Sequence, residues 1–115
     1  SFKNKSGLLI SSFDHELLSA VRQAMPELPL AWLCTPAEVR AGSWREASQI
    51  ECTAIHPCGQ DLTEADVHEM LDAGFDVNVW TVNTLEEART AAKWGVSGIF
   101  TDRVQDFPTE ALTRV

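Results

Sequence analysis

The chain has 115 residues, 44% of them hydrophobic, with a formal charge of −8 at pH 7 and a pI near 4.7. That length fits one domain with its own core, while the acidic balance excludes a nucleic-acid binder, which needs clustered Lys and Arg, and disfavours an anionic membrane surface. No apolar run approaches the roughly 20 residues that span a bilayer, and Ser1–Lys5 leads into only a short apolar stretch rather than a signal peptide, so the chain reads as soluble and cytoplasmic.

Leu8–Phe13 is a short apolar run with a polar end, read as a first strand. Asp14 is a good N-cap, and Leu17, Leu18, Val21 and Met25 recur at helical spacing until Pro26 stops the pattern. Leu30–Cys34 is a second buried strand. Thr35-Pro36 supplies a cap and a proline at the first helical position, which predicts a short helix from Ala37 to about Arg40. Trp44, Ala47 and Ile50 suggest another helical turn or two before a third strand at Thr53–His56.

Thr63 can cap a helix whose buried stripe is Val67, Met70 and Leu71, with Gly74 as its stop. Val77–Val82 is the fourth strand. Thr84-Leu85-Glu86-Glu87 fits a capping box, with Leu85, Ala88, Ala92 and Trp94 facing inward and Gly95 ending the helix. Gly98–Thr101 is the fifth strand.

Strands alternating with helical segments are the signature of βα repeats and a parallel sheet. Right-handed crossovers put every carboxyl end on one face. That face would carry Ser11, Ser12, Phe13, Cys34, His56, Trp80, Thr81, Asn83, Thr101 and Asp102. The fold class expected is therefore α/β, a single domain over 1–115 built from about five parallel βα units.

Three cysteines, Cys34, Cys52 and Cys58, are an odd number in an α/β chain and read as reduced, mostly buried thiols. The spacing Cys52-x3-His56-x-Cys58 lacks a tight C-x-x-C pair and a clear fourth ligand, so no metal site is expected from it. His15 and His68 fall on helix patterns and are expected to be solvated. Glu64, Asp66, Glu86 and Glu87 are explained as helix-start charges, and Asn83 and Thr84 as turn and cap residues.

Leu9-Ile10-Ser11-Ser12-Phe13-Asp14, Ala54-Ile55-His56, Val79-Trp80-Thr81-Val82-Asn83 and Gly95-Val96-Ser97-Gly98-Ile99-Phe100-Thr101-Asp102 together resemble, in order and spacing, the glycerophosphodiester phosphodiesterase family. These are (β/α)8-barrel hydrolases that release an alcohol and glycerol 3-phosphate. The resemblance implies that the chain corresponds to the C-terminal part of such a TIM barrel, its last five βα units. It implies a divalent cation in the whole enzyme and a small glycerophosphodiester as substrate. It also exposes an absence: the family's His-Arg-Gly, Glu-x-Asp, His-Asp and Glu-x-Lys motifs do not occur here. The cation's ligands would then lie outside this chain, no catalytic residue is assigned within it, and the chain by itself is expected to be inactive.

The resemblance makes Trp80 an aromatic wall of a substrate pocket. Alternation alone leaves open whether Asn78, Trp80 and Val82 or Val77, Val79 and Thr81 face that pocket. Phe13 and His56, at strand ends, are the other substrate-binding candidates, each with a plain structural reading as a core cap or a locally bonded histidine. Asp102 could bind a cation or a hydroxyl, or, followed by Arg103, it could cap the next turn or pair locally.

A barrel of this class takes about 250 residues to close, so exposed edges are expected to drive self-association or pairing with an N-terminal half, unless the chain closes as a compact open sheet. Two other readings stay open: a non-catalytic half-barrel acting by association, and a receiver-like signalling domain of flavodoxin-like architecture.

Overall fold

In the computed structural model, which describes residues 9–102, five strands form one parallel sheet in the order in which they occur along the chain. The elements are β1 (Ile10–Ser12), α1 (His15–Ala24), β2 (Leu30–Cys34), α2 (Pro36–Ala41), a 3-10 helix (Ser43–Ile50), β3 (Ala54–Pro57), α3 (Glu64–Asp72), β4 (Asp76–Val79), α4 (Leu85–Trp94) and β5 (Gly98–Ile99). All four strand pairings are parallel. Leu8 and the segment after Asp102, including Arg103, lie outside the described residues.

Each helix starts where the sequence supplies an acceptor for its orphan N–H groups. The Asp14 carboxylate accepts from the Leu17 N–H, and Thr35, Thr63 and Thr84 each form a reciprocal capping box with Glu38, Asp66 and Glu87. Burial alone would raise the Asp66 carboxyl, but hydrogen bonds from the Thr63 backbone and hydroxyl and the Arg40 guanidinium outweigh it and leave the group below its ordinary range.

A strand order that follows the sequence, with right-handed crossovers throughout, places every helix on the same side of the sheet. The core bears this out. Leu30, Trp32 and Cys34 of β2, Ile55 of β3, and Val77 and Val79 of β4 share one cluster with Leu18, Val39, Trp44, Val67, Met70, Ala88 and Ala91 from the helical segments. The opposite parity, with Ser11, Leu33, His56 and Asn78, therefore faces away from the helices. The order is also not the 2-1-3-4-5 of flavodoxin-like domains, whose helices cover both faces, so the receiver architecture is excluded.

Several sequence expectations need correction. Leu17 and Met25 are 48% and 42% exposed, leaving Leu18 and Val21 to dock α1; the apolar stripe is wider than the surface the sheet offers it. In α4 it is Ala91, not Ala92, that is buried. His15 is not solvated: Nε2 lies 3.1 Å from the Leu33 carbonyl oxygen, and the ring stacks on Trp32 at 3.6 Å. His68 does face solvent, 3.7 Å from Glu64.

Candidate functional site

The uncovered side of the sheet gathers polar and aromatic side chains around one histidine. His56, on β3, is 1% exposed, the only polar or charged side chain buried to that degree among the described residues. Its Nδ1 lies 2.8 Å from the Ser11 hydroxyl of β1 and its Nε2 lies 3.0 Å from the Asn78 amide nitrogen of β4. Burial pushes its pKa down to about 4, so the ring is neutral at pH 7.

Aromatic rings close over this polar set. Trp80 follows β4, and its indole N–H donates to the His56 carbonyl oxygen at 2.7 Å. The indole reaches past the end of β3 to meet Phe13, beyond β1, edge to face at 5.6 Å. Phe100, after β5, sits against the His56 ring at 4.9 Å. Phe13 and Phe100 remain 48% and 44% exposed, so their rings present apolar surface to whatever enters between them.

The three residues singled out by sequence are thus brought together, Trp80 touching both Phe13 and the His56 backbone carbonyl. The alternation left open for the fourth strand has a definite outcome. Val77 and Val79 turn to the helices, while Asn78 is on the histidine side. Beyond Val79 the strand ends, and Val82 returns to the core while Thr81 is exposed. Sequence reasoning missed Asn78, Phe100 and the bond made by Ser11. The available signal was Asn78 itself, an amide inside a run of valines, since a buried strand keeps a polar side chain only where a partner awaits it.

Asn83 and Asp102 are linked locally. The Asn83 side-chain oxygen accepts from the Thr101 hydroxyl at 3.1 Å and from the Asp102 N–H at 3.4 Å. Thr84 caps α4, and the Glu87 carboxylate accepts from the Asn83 and Thr84 N–H groups. Among the described residues no three His, Cys, Asp or Glu side chains gather as a metal-ion set, so these residues do not fit a divalent cation. Cys34 and Cys52 are buried thiols whose burial, opposed at Cys52 by Arg22, raises them to about 12 and about 11. A separate cavity of about 800 Å³ opens behind Trp80, between the loop after β3 and α4, bordered by Cys58, Leu62, Val82, Glu87 and Trp94.

A parallel βα array with its polar cluster at the carboxyl ends of the strands is the arrangement of barrel enzymes. A model of the glycerophosphoryl diester phosphodiesterase family matches residues 1–106, and the chain belongs to that family. A glycerophosphodiester phosphodiesterase of Caldanaerobacter subterraneus is 30% identical over 95 residues, covering 83% of this chain and 38% of the relative. An Oleispira antarctica phosphodiesterase, solved in complex with the product sn-glycerol-3-phosphate, superposes with a TM-score of 0.79 at 22% identity over 91% of this chain and 41% of that one. The glycerophosphodiester phosphodiesterase of Thermotoga maritima gives 0.69 at 20% identity over 90% and 46%. At those two identities the likeness is one of fold. The chain spans 38% and 33% of the two curated relatives it matches.

Proposed function

We propose that this chain forms the pocket side of a glycerophosphodiester-hydrolysing barrel and has no turnover by itself. The observation that carries the reading is the cluster of Phe13, Trp80 and His56 on the side of the sheet opposite the helices, at the strand ends, in a chain belonging to this family. Trp80 and Phe13 would pack against the glycerol or alcohol carbons, with His56 beneath them. Glycerol 3-phosphate, the product held by the Oleispira antarctica relative, is the natural ligand to consider. A single domain over 1–115, a cytoplasmic setting and a place in lipid and glycerol metabolism belong to the same proposal.

Proton transfer to the leaving alcohol needs a titratable group within hydrogen-bond reach of the reacting oxygen. His56 offers little for that, because both ring nitrogens are engaged and the ring stays neutral down to about pH 4. The His, Glu and Asp groups of the family's missing motifs, and the ligands of its divalent cation, would come from βα units outside these 115 residues. Purified chain incubated with glycerophosphocholine and a divalent cation is expected to release no glycerol 3-phosphate; appreciable release would refute the assignment of the chemistry to other residues.

A second reading, association with a further copy of the chain, has its own support. Leu9, Phe13, Leu17 and Met25, within or beside β1 and α1, and Phe100 beyond β5, are large apolar side chains left exposed near the two edge strands. Edge strands with unpaired backbone groups recruit partners.

A further inference from the structure

We propose that Ser11 is a substrate-contacting hydrogen-bond donor, and that Asn78 and His56 are positioning residues that fix the direction in which its hydroxyl points. The inference rests on the pocket reading above and adds a named contact to it.

Three side chains from three strands form one chain of polar contacts, with Asn78 Nδ2 3.0 Å from His56 Nε2 and His56 Nδ1 2.8 Å from Ser11 Oγ. An amide nitrogen can only donate. Nε2 therefore accepts, and a neutral imidazole that accepts at Nε2 carries its hydrogen on Nδ1. That N–H donates to Ser11 Oγ. The serine oxygen is then occupied as an acceptor, and its own hydrogen must go elsewhere. It makes no other hydrogen bond among the described residues, and Ser11 is exposed on the uncovered side of the sheet. The hydroxyl accordingly offers a donor to an oxygen arriving beside Phe13 and Trp80.

The amide that sets this polarity needs space on the neighbouring strand. Its Oδ1 rests over Gly98 on β5, where a Cβ would come within 2.8 Å of it. Glycine at that position makes room for the Asn78 amide, and the register pairs the two residues directly. Burial keeps the imidazole uncharged, so near neutral pH Nε2 retains the lone pair that accepts from the Asn78 amide. The acceptor best suited to a lone hydroxyl donor is an anionic phosphoryl oxygen, because hydrogen bonds to charged groups are the stronger class. A phosphorylated polyol such as glycerol 3-phosphate supplies it.

The test uses the full 115-residue chain with ring-15N histidine. Long-range 1H–15N correlation at pH 7 is expected to show His56 protonated at Nδ1 and bare at Nε2, and Asn78→Asp to invert this, because a carboxylate accepts from Nε2–H. In the native chain, Ser11→Ala is expected to weaken glycerol 3-phosphate binding about tenfold, Ser11→Thr to restore it, and Asn78→Asp to match the alanine variant while leaving Ser11 in place. A native His56 protonated at Nε2 overturns the inference, as does unchanged affinity in Ser11→Ala. Absence of any glycerol 3-phosphate binding by the native chain fails the pocket reading, and the Ser11 contact with it, whatever the tautomer.

Discussion

His56 was visible in the sequence as a strand-end histidine before a proline, but its environment was not. Its partners stand 45 residues before and 22 residues after it, and only strand register brings β1, β3 and β4 into line. The burial has a consequence for acid stability. The ordinary histidine pKa of 6.5 holds in the unfolded chain and about 4 in the folded one. Above pH 6.5 neither state binds the proton and His56 adds no pH dependence. As pH falls from 6.5 to about 4, the unfolded chain takes up a proton that the folded chain refuses, and stability drops. The loss amounts to about 3 kcal/mol, and it stops growing below the folded pKa. Urea denaturation from pH 7 to pH 4 should therefore show a steeper decline for the native chain than for His56→Gln. Parallel curves would mean that the ring is not buried as a neutral base.

At the level of elements, caps and periods carried well and edges did not. Asp14, Thr35, Thr63 and Thr84 were legible as caps because capping is local, decided within three residues. The α1 stripe misled because periodicity reports which side chains could be buried, whereas a partner surface decides which are. Leu18 found the sheet and is 0% exposed, while Leu17 and Met25 stay 48% and 42% exposed. The strands came out shorter than the apolar runs, β4 ending at Val79 rather than Val82, since composition cannot say where the neighbouring ladder stops. The unpartnered side of α1 bears on association. Sedimentation velocity across a concentration series should show reversible self-association of the native chain, weakened by Leu17→Lys and Met25→Lys. A monomer at every concentration would remove the association reading and leave the pocket reading untouched.

For the whole molecule, the sequential strand order and the single helical layer follow from repeated right-handed βα units, and that much was readable from the alternation of strand and helix patterns. The face toward which Trp80 and Asn78 turn was not readable, because parity is symmetric until something covers one side. The helices and the core lie on the Val77 and Val79 side, and the proposed pocket is on the other. The competing location is the cavity of about 800 Å³ behind Trp80, whose border includes the Glu87 carboxylate, a poor neighbour for a phosphate. Titrating glycerol 3-phosphate into the 15N-labelled, 115-residue chain and following the backbone amides of Ser11, Phe13 and Asn78 separates the two, because Trp80 borders both. Saturable shifts centred on those three groups are the expected result; shifts confined to Thr84–Trp94, or none at all, would contradict a pocket on the uncovered side of the sheet.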